Sequence, residues 1–149
     1  MKARKTDFAL ENHLPYLINR IAMMGVRAFG KNLDPEHITV PMWRVIAVLW
    51  TTGAQRQVDL SELTSIDPST LSRLIGTLSK MKLVNRQRSS ESSREVTIYI
   101  SGKGEQLAEK LVPIANQYEE LQLKGLSREE RLLLKILLTK VYTNIAEQV

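Results

Sequence analysis

The sequence predicts a mainly α-helical chain with a short β-hairpin near its middle, an α+β arrangement, and three observations carry that expectation. Apolar residues recur at helical spacing near both ends. A run of short helices, each announced by a turn or capping signal, occupies the centre. After it comes VTIYI at 96–100, a clean alternation of period two, preceded by the strand-like LVNRQR at 83–88.

The first helix is expected over about residues 8–32, because Leu10, Leu14, Leu17, Ile21, Met24 and Ala28 form a heptad-like stripe. The same spacing returns in Leu107, Leu111, Ile114, Tyr118 and Leu121, a helix in which Pro113 removes one donor and is expected to kink or loosen the backbone. A third begins after Gly125, where Ser127 and Glu130 form a Ser-x-x-Glu capping box ahead of LLLKILLTKVY. Leu132, Leu133, Leu134, Ile136, Leu137 and Leu138 wrap much of that last helix, and a helix apolar all round is normally buried. These flanks hold more apolar surface than a small middle domain can cover. A homodimer with both chain ends interdigitated is the most economical solution, a monomeric bundle the alternative. The expected division is a middle domain at 37–103 and dimerisation helices at 1–36 and 104–149.

In the middle, Pro41 opens PMWRVIAVLW, whose Trp43, Val45, Ile46, Leu49 and Trp50 are available to a core, and TTGAQ ends it. In QVDLSEL, Asp59 suits the cap of a short helix carrying Leu60 and Leu63. SIDPST follows, with Asp67 suited to an N-cap and Pro68 to the first helical position. The helix it starts places Leu71, Leu74, Ile75, Leu78 and Met81 on one face and Ser69, Thr70, Ser72, Arg73, Gly76, Thr77 and Lys80 on the other. That second face combines short hydroxyls with long cations. In the major groove of B-DNA, arginine chelates guanine, serine and threonine reach bases or phosphates, and lysine neutralises phosphate. The same residues also suit any solvated helix face. Gly76, which costs about 1 kcal/mol inside a helix, points to close approach by a backbone or a second helix.

The order of these segments matters more than any one of them: short helix, tight turn, polar-faced helix, then two strand-like runs. That is a winged helix-turn-helix. On the first strand Val84 faces the core with Arg86 and Arg88 on the same pleat parity; on the second, Val96, Ile98 and Ile100 share one face. RQRSSESSREVTIYI, residues 86–100, becomes the wing, with a serine-rich tip that carries Arg94.

The net charge of +5 is local. Residues 69–103 hold seven basic side chains against two acidic ones, and the other 114 residues hold fourteen of each. Excess positive charge confined to about a quarter of the chain fits a footprint for a polyanion, with an ordinary solvated surface as the alternative. Catalysis is not expected. The two histidines, His13 and His37, lack metal-ligand spacing, there is no cysteine and no Gly-rich phosphate loop, and Glu119–Glu120 and Glu129–Glu130 are adjacent pairs that point to different sides of a helix. No metal or cofactor is therefore expected. Absence of cysteine suits a reducing cytoplasm, MKARKTDFALEN does not read as a secretory signal, and no run of about 18 apolar residues is present to span a membrane. The rival reading is a winged-helix protein-interaction module without DNA binding; RNA lacks the aromatic platform it would need.

At this point the chain resembles the MarR (multiple antibiotic resistance regulator) winged-helix transcription factors over nearly its whole length: flanking helices, WRVIAVLW, DLSELTSIDPSTLSRLIGTLSKMKLV and a hairpin ending ISGKG. STLSRLIGTLSKMKLV looks like the family's recognition helix. The family's Asp-x-Arg wing signature, counted back from Gly104, falls on Ser92, Ser93 and Arg94, so the arginine is present and the acid is not; Glu91 and Glu95 are the nearest charges. The usual glycine before Leu83 is replaced by Lys82. The resemblance implies a homodimer on a pseudo-palindromic double-stranded operator, with recognition helices in successive major grooves and Arg94 directed to the minor groove. It also implies a small aromatic or phenolic carboxylate effector in a cleft that His13, Tyr16, Arg20, Trp43 and Arg44 could line, unless Tyr16 and Trp43 are core and His13 an interface residue. The DNA-contacting set is then Ser69, Thr70, Ser72, Arg73, Thr77, Lys80, Arg86, Arg88 and Arg94, with Arg86 and Arg88 on phosphates.

Overall fold

The computed structural model describes residues 8–92 and 94–149. The chain divides into two compact units, one ending at Pro113 and the other starting at Ile114, inside a helix that is continuous through the proline.

In the first unit, α1 spans Leu14–Leu33 and follows a single 3-10 turn at Leu10–Asn12. It starts later than the apolar stripe suggested. Pro15 is the reason: it has no N–H, its ring excludes a helical carbonyl four residues back, and so it is tolerated only in a first turn. α2, Val40–Thr52, is capped by the Thr39 hydroxyl, which accepts from the Met42 N–H at 3.4 Å. Met42, Val45, Ile46 and Leu49 form its buried stripe. Trp50, expected in the core, is 40% exposed, because the 42–45–46–49 face already fills the interior and residue 50 lies off it.

The segment Gln55–Arg56 forms a short strand, β1, and α3, Gln57–Thr64, begins at once after it. Arg56 occupies the N-cap, so Asp59, expected to cap, is the third helical residue. Leu60 is buried while Leu63 is exposed, so only one of the two expected core positions is used. α4, Pro68–Lys80, starts as the sequence indicates: Asp67 is the N-cap, and its carboxylate accepts from the Thr70 N–H at 2.9 Å and the Ser69 hydroxyl at 2.7 Å. Leu71, Ile75 and Leu78 are buried. β2, Val84–Arg88, and β3, Val96–Ile100, pair antiparallel with Val84 opposite Ile100, Arg86 opposite Ile98 and Arg88 opposite Val96. β1 adds to the other edge of β3, giving the order β1–β3–β2, a third strand too short for periodicity to reveal. α5 spans Gly102–Gln122.

Three connections in this unit close the same way without glycine. His37, Ser65 and Lys82 each take left-handed backbone, at φ 57°, 53° and 62°. After each, the next residue's N–H reaches back five residues: Ile38 to Leu33, Ile66 to Ser61 and Leu83 to Leu78. These are Schellman turns, and each places a buried apolar residue just past the helix end. At Lys82 this turn ends α4 at the position where the resemblance places a glycine. Its carbonyl also accepts from the Ser101 hydroxyl at 2.6 Å, and Lys103 Nζ donates to the Met81 carbonyl at 3.0 Å. Lys82→Gly is expected to stabilise the fold by about 1 kcal/mol, since an L side chain strains left-handed backbone by more than glycine's extra chain entropy costs. Urea denaturation should show a higher midpoint at unchanged slope; an unchanged midpoint would show that Lys82 carries no strain.

The second unit holds the end of α5 and α6, Arg128–Ala146. Gly125, at φ 86°, turns the chain, and the capping box is complete: Glu130 N–H donates to the Ser127 hydroxyl at 3.2 Å and Ser127 N–H to the Glu130 carboxylate at 2.7 Å. Arg131 pairs with Glu120 at 2.7 Å and Lys135 with Glu119 at 2.6 Å. No residue of α6 is buried, so Leu132, Leu133, Leu134, Ile136, Leu137 and Leu138 are all exposed in the single chain.

Candidate nucleic-acid interface

The polar face of α4 is open to solvent at Ser69, Ser72, Arg73, Thr77 and Lys80, with Thr70 half-buried. Its side chains are partly ordered by the helix itself: Thr77 donates to the Arg73 carbonyl at 3.2 Å, and an Arg73 guanidinium N–H approaches the Thr70 hydroxyl at 3.5 Å. Hydrogen bonds from Thr70 and Ser69 hold the Asp67 carboxyl below the usual carboxylate range. A depressed carboxyl stabilises the fold fully above its unfolded pKa, about 3.9, and that contribution is lost only as pH falls through the lower native value. The cap that aims the polar face is therefore intact at neutral pH.

The wing is built on β2 and β3. The register puts Val84, Arg86 and Arg88 on the face that carries Ile98, so the first arginine of the strand lies towards α4. Arg86 donates to the Ser72 carbonyl at 3.2 Å, and a Cβ added at Gly76 would sit 3.5 Å from its Nη2. The close neighbour of Gly76 is thus neither a backbone nor another helix but a guanidinium laid across α4. Arg88, two residues further out, is exposed.

At the tip, Ser89 N–H donates to the Glu95 carbonyl at 2.9 Å and Glu95 N–H to the Ser92 carbonyl at 3.2 Å. The Ser89 hydroxyl accepts from the N–H groups of Glu91 at 3.2 Å and Ser92 at 3.4 Å. Ser93 lies outside the described residues. Arg94 is exposed.

Sequence reasoning missed Arg56. From β1 its guanidinium grips Asp59 with two bonds, Nε to Oδ2 at 2.7 Å and Nη2 to Oδ1 at 2.8 Å, and Nη1 reaches Glu95 at 3.2 Å. The bond with Asp59, then that with Glu95, raises the Arg56 pKa further, and the bond from Arg56 lowers that of Asp59. A groove of about 290 Å³ lies beside this cluster, lined by Arg56, Gln57, Val58, Pro68, Arg94, Glu95 and Val96.

The five residues singled out for an effector fall into two groups. Near the start of α1, His13 packs a tilted ring on Phe8 at 4.9 Å, and the Arg20 guanidinium lies 5.7 Å from the Tyr16 ring centroid. On α2, Trp43 meets Phe29 edge-on at 6.4 Å, and Arg44 donates to the Thr64 carbonyl at 3.2 Å. Among the described residues no hydrogen bond, ion pair or ring contact joins the groups. A second cleft, of about 370 Å³, contains none of the five; Glu36, His37, Met81, Leu83, Lys103 and Lys110 are among its walls. Among the described residues no helix is long and apolar enough to cross a membrane.

Comparison with known proteins agrees with this architecture. The sequence model of the MarR family matches residues 38–96, which run from the start of α2 to the wing. The HTH-type transcriptional regulator FarR of Neisseria gonorrhoeae is 31% identical over 114 residues, which cover 76% of this chain and 77% of FarR. The organic hydroperoxide resistance transcriptional regulator of Bacillus subtilis (strain 168) is 28% identical over 143 residues, 96% of this chain and 94% of that protein. Among solved structures, Bordetella bronchiseptica BpsR, whose DNA binding is regulated by 6-hydroxynicotinic acid, superposes with a TM-score of 0.81 at 27% identity, covering 87% of this chain and 98% of its own. Six α-helices and a three-stranded wing sheet among the described residues, with relatives of this kind along most of the chain, lead to one conclusion: the protein belongs to the MarR family of winged-helix transcriptional regulators and is not an enzyme.

Proposed function

We propose that this regulator is a cytoplasmic homodimeric repressor of a pseudo-palindromic operator, released by a small aromatic or phenolic carboxylate. The observation that carries the DNA reading is α4. Its apolar face is buried, its hydroxyl and cationic face is open, and the basic wing strands stand beside it. Arg73 is the side chain suited to read a base edge, with Ser69, Thr70, Ser72, Thr77 and Lys80 placing the helix on phosphates and neighbouring bases. Arg88 contacts the backbone and Arg94 enters the flanking minor groove, where groove width sets preference. Arg86, bonded to the Ser72 carbonyl, acts through the pose of α4 as well as by charge.

Dimerisation by residues 1–36 and 104–149 accounts for the exposed Leu14, Leu17, Ile21 and Met24 of α1 and the leucines of α6, leaving 37–103 to bind DNA. Two recognition helices then need half-site centres about 34–36 Å apart. The effector class is supported by BpsR, whose regulator is a hydroxylated aromatic carboxylic acid. In this chain a dimer brings together His13, Tyr16 and Arg20 of one protomer with Trp43 and Arg44, the cations for the carboxylate and the rings for the ligand's ring. The chain has no cysteine, so thiol oxidation is not the trigger.

The test is binding to duplexes selected from a random pool. If the dimer neutralises about six phosphates, log K against log salt should have a slope near −5. Arg73→Ala should lower discrimination between selected and random duplexes by about 1–3 kcal/mol, while Arg88→Ala weakens both alike and reduces the slope by about 1 for each protomer. A slope near zero would remove DNA as the partner. Titration calorimetry with a panel of aromatic acids checks the effector: no binding by any of them removes that part of the proposal.

A further inference from the structure

We infer that Arg56, Asp59 and Glu95 form a clamp that holds the wing and positions Arg94 in place of the aspartate the family has at position 92. The inference rests on the DNA reading above and concerns how the wing is aimed.

The argument begins with what is anchored. Asp59 is fixed by its place in the first turn of α3, where a carboxylate is favoured by the unpaired N–H groups of the helix. It takes two of the three guanidinium nitrogens of Arg56 in fork geometry, which removes the rotational freedom that makes an ordinary surface pair weak. The third nitrogen is left pointing at Glu95. Glu95 is also held through its backbone, its carbonyl by Ser89 and its N–H by Ser92. Arg94 immediately precedes this pinned residue, so the clamp fixes the point from which its side chain leaves the wing. Ser92 contributes its main-chain carbonyl to the same arrangement, which needs no acid there. The β1–β3 pairing, with Arg56 opposite Thr97, keeps the clamp in register with the wing base.

The clamp also has a distinctive charge. One guanidinium stands against two carboxylates, so Arg56 is not a free cation for phosphate and adds nothing to counterion release. A positioning role and a phosphate-binding role therefore give different results.

The experiment uses the full-length protein and two selected duplexes that share half-sites but differ in the flank, one A·T-rich with a narrow minor groove and one G·C-rich. Wild-type protein and Arg94→Ala define full and abolished flank preference. Glu95→Ala and Arg56→Lys, whose ammonium cannot span two carboxylates, should each reduce the preference about fivefold or more, with the salt slope unchanged. Adding Glu95→Ala to Arg94→Ala should produce no further loss. Circular dichroism melts check that the variants fold. If Glu95→Ala tightens binding to both duplexes by one factor and keeps the preference, the cluster is only a source of negative charge and the inference is overturned. A loss of slope in Arg56→Gln, which removes the cation that Arg56→Lys keeps, would overturn it too, by making Arg56 a phosphate contact. Wild-type protein that binds neither duplex would instead overturn the DNA reading.

Discussion

Gly104→Ala is expected to destabilise the protein by about 3 kcal/mol, a large share of the 5–15 kcal/mol that typically separates folded from unfolded chains. A Cβ at this position would stand 2.2 Å from the Leu83 carbonyl oxygen and 2.8 Å from Ile100 Cγ1. The first of these is backbone and has no rotamer by which to retreat. The surrounding bonds make the site stiff: Ser101 N–H donates to that same Leu83 carbonyl at 3.0 Å, Gly104 N–H donates to the Ser101 hydroxyl at 3.0 Å, and the hydroxyl donates to the Lys82 carbonyl at 2.6 Å. Alanine must push the start of α5 away from the turn that ends α4, breaking these bonds as it does so. Gly102→Ala is the internal control, since nothing lies within 4 Å of a Cβ there. It should be neutral or slightly stabilising, because alanine costs less chain entropy than glycine in a helix. Urea denaturation followed at 222 nm would separate the two; a Gly104→Ala cost below about 1 kcal/mol would mean that the junction relaxes freely.

Leu133→Asp or Leu137→Asp should shift the dimer–monomer equilibrium by about a thousandfold and abolish operator binding at ordinary protein concentrations. Both leucines are exposed in the single chain and lie four residues apart on α6. If a partner copy covers them, each substitution forfeits about 2 kcal/mol of burial per protomer, counted twice in a symmetric dimer, and about 4 kcal/mol is roughly three powers of ten in Kd. On a monomer the same changes replace exposed apolar groups by exposed charge, with effects within about 0.5 kcal/mol. The two readings thus differ by orders of magnitude. Sedimentation equilibrium reads the association directly, and an unchanged molar mass would remove the dimer.

The elements that were legible share a property: their signals are local. Asp67–Pro68 announces α4 because a cap bonds to donors only two and three residues away, and Ser127–Glu130 announces α6 for the same reason. The wing strands follow from alternation in VTIYI, and the buried Leu71, Ile75 and Leu78 from helical spacing. Even the start of α1 was available in Pro15, once the proline is weighed above the apolar stripe.

What stayed hidden depends on pairs distant in sequence. Arg56 and Glu95 stand 39 residues apart and meet only because β1 adds to β3, a strand of two residues that no periodicity can mark. Arg86 was readable as a basic wing residue; that its guanidinium crosses to Ser72, in the space left by Gly76, is set by the β2–β3 register and the packing of α4 against the sheet. Gly104 was visible as a landmark, but its proximity to Leu83 exists only in three dimensions.

The sequence by itself therefore determined the order of the helices and the two longer strands, the two faces of α4, the confinement of net positive charge to residues 69–103 and the absence of thiol chemistry. The tertiary structure decided which of the wing's charges are already engaged and which remain open to a partner. The physical reason is range: capping and periodicity act within about one or two turns of chain, whereas a salt bridge forms wherever the fold brings two side chains within about 4 Å.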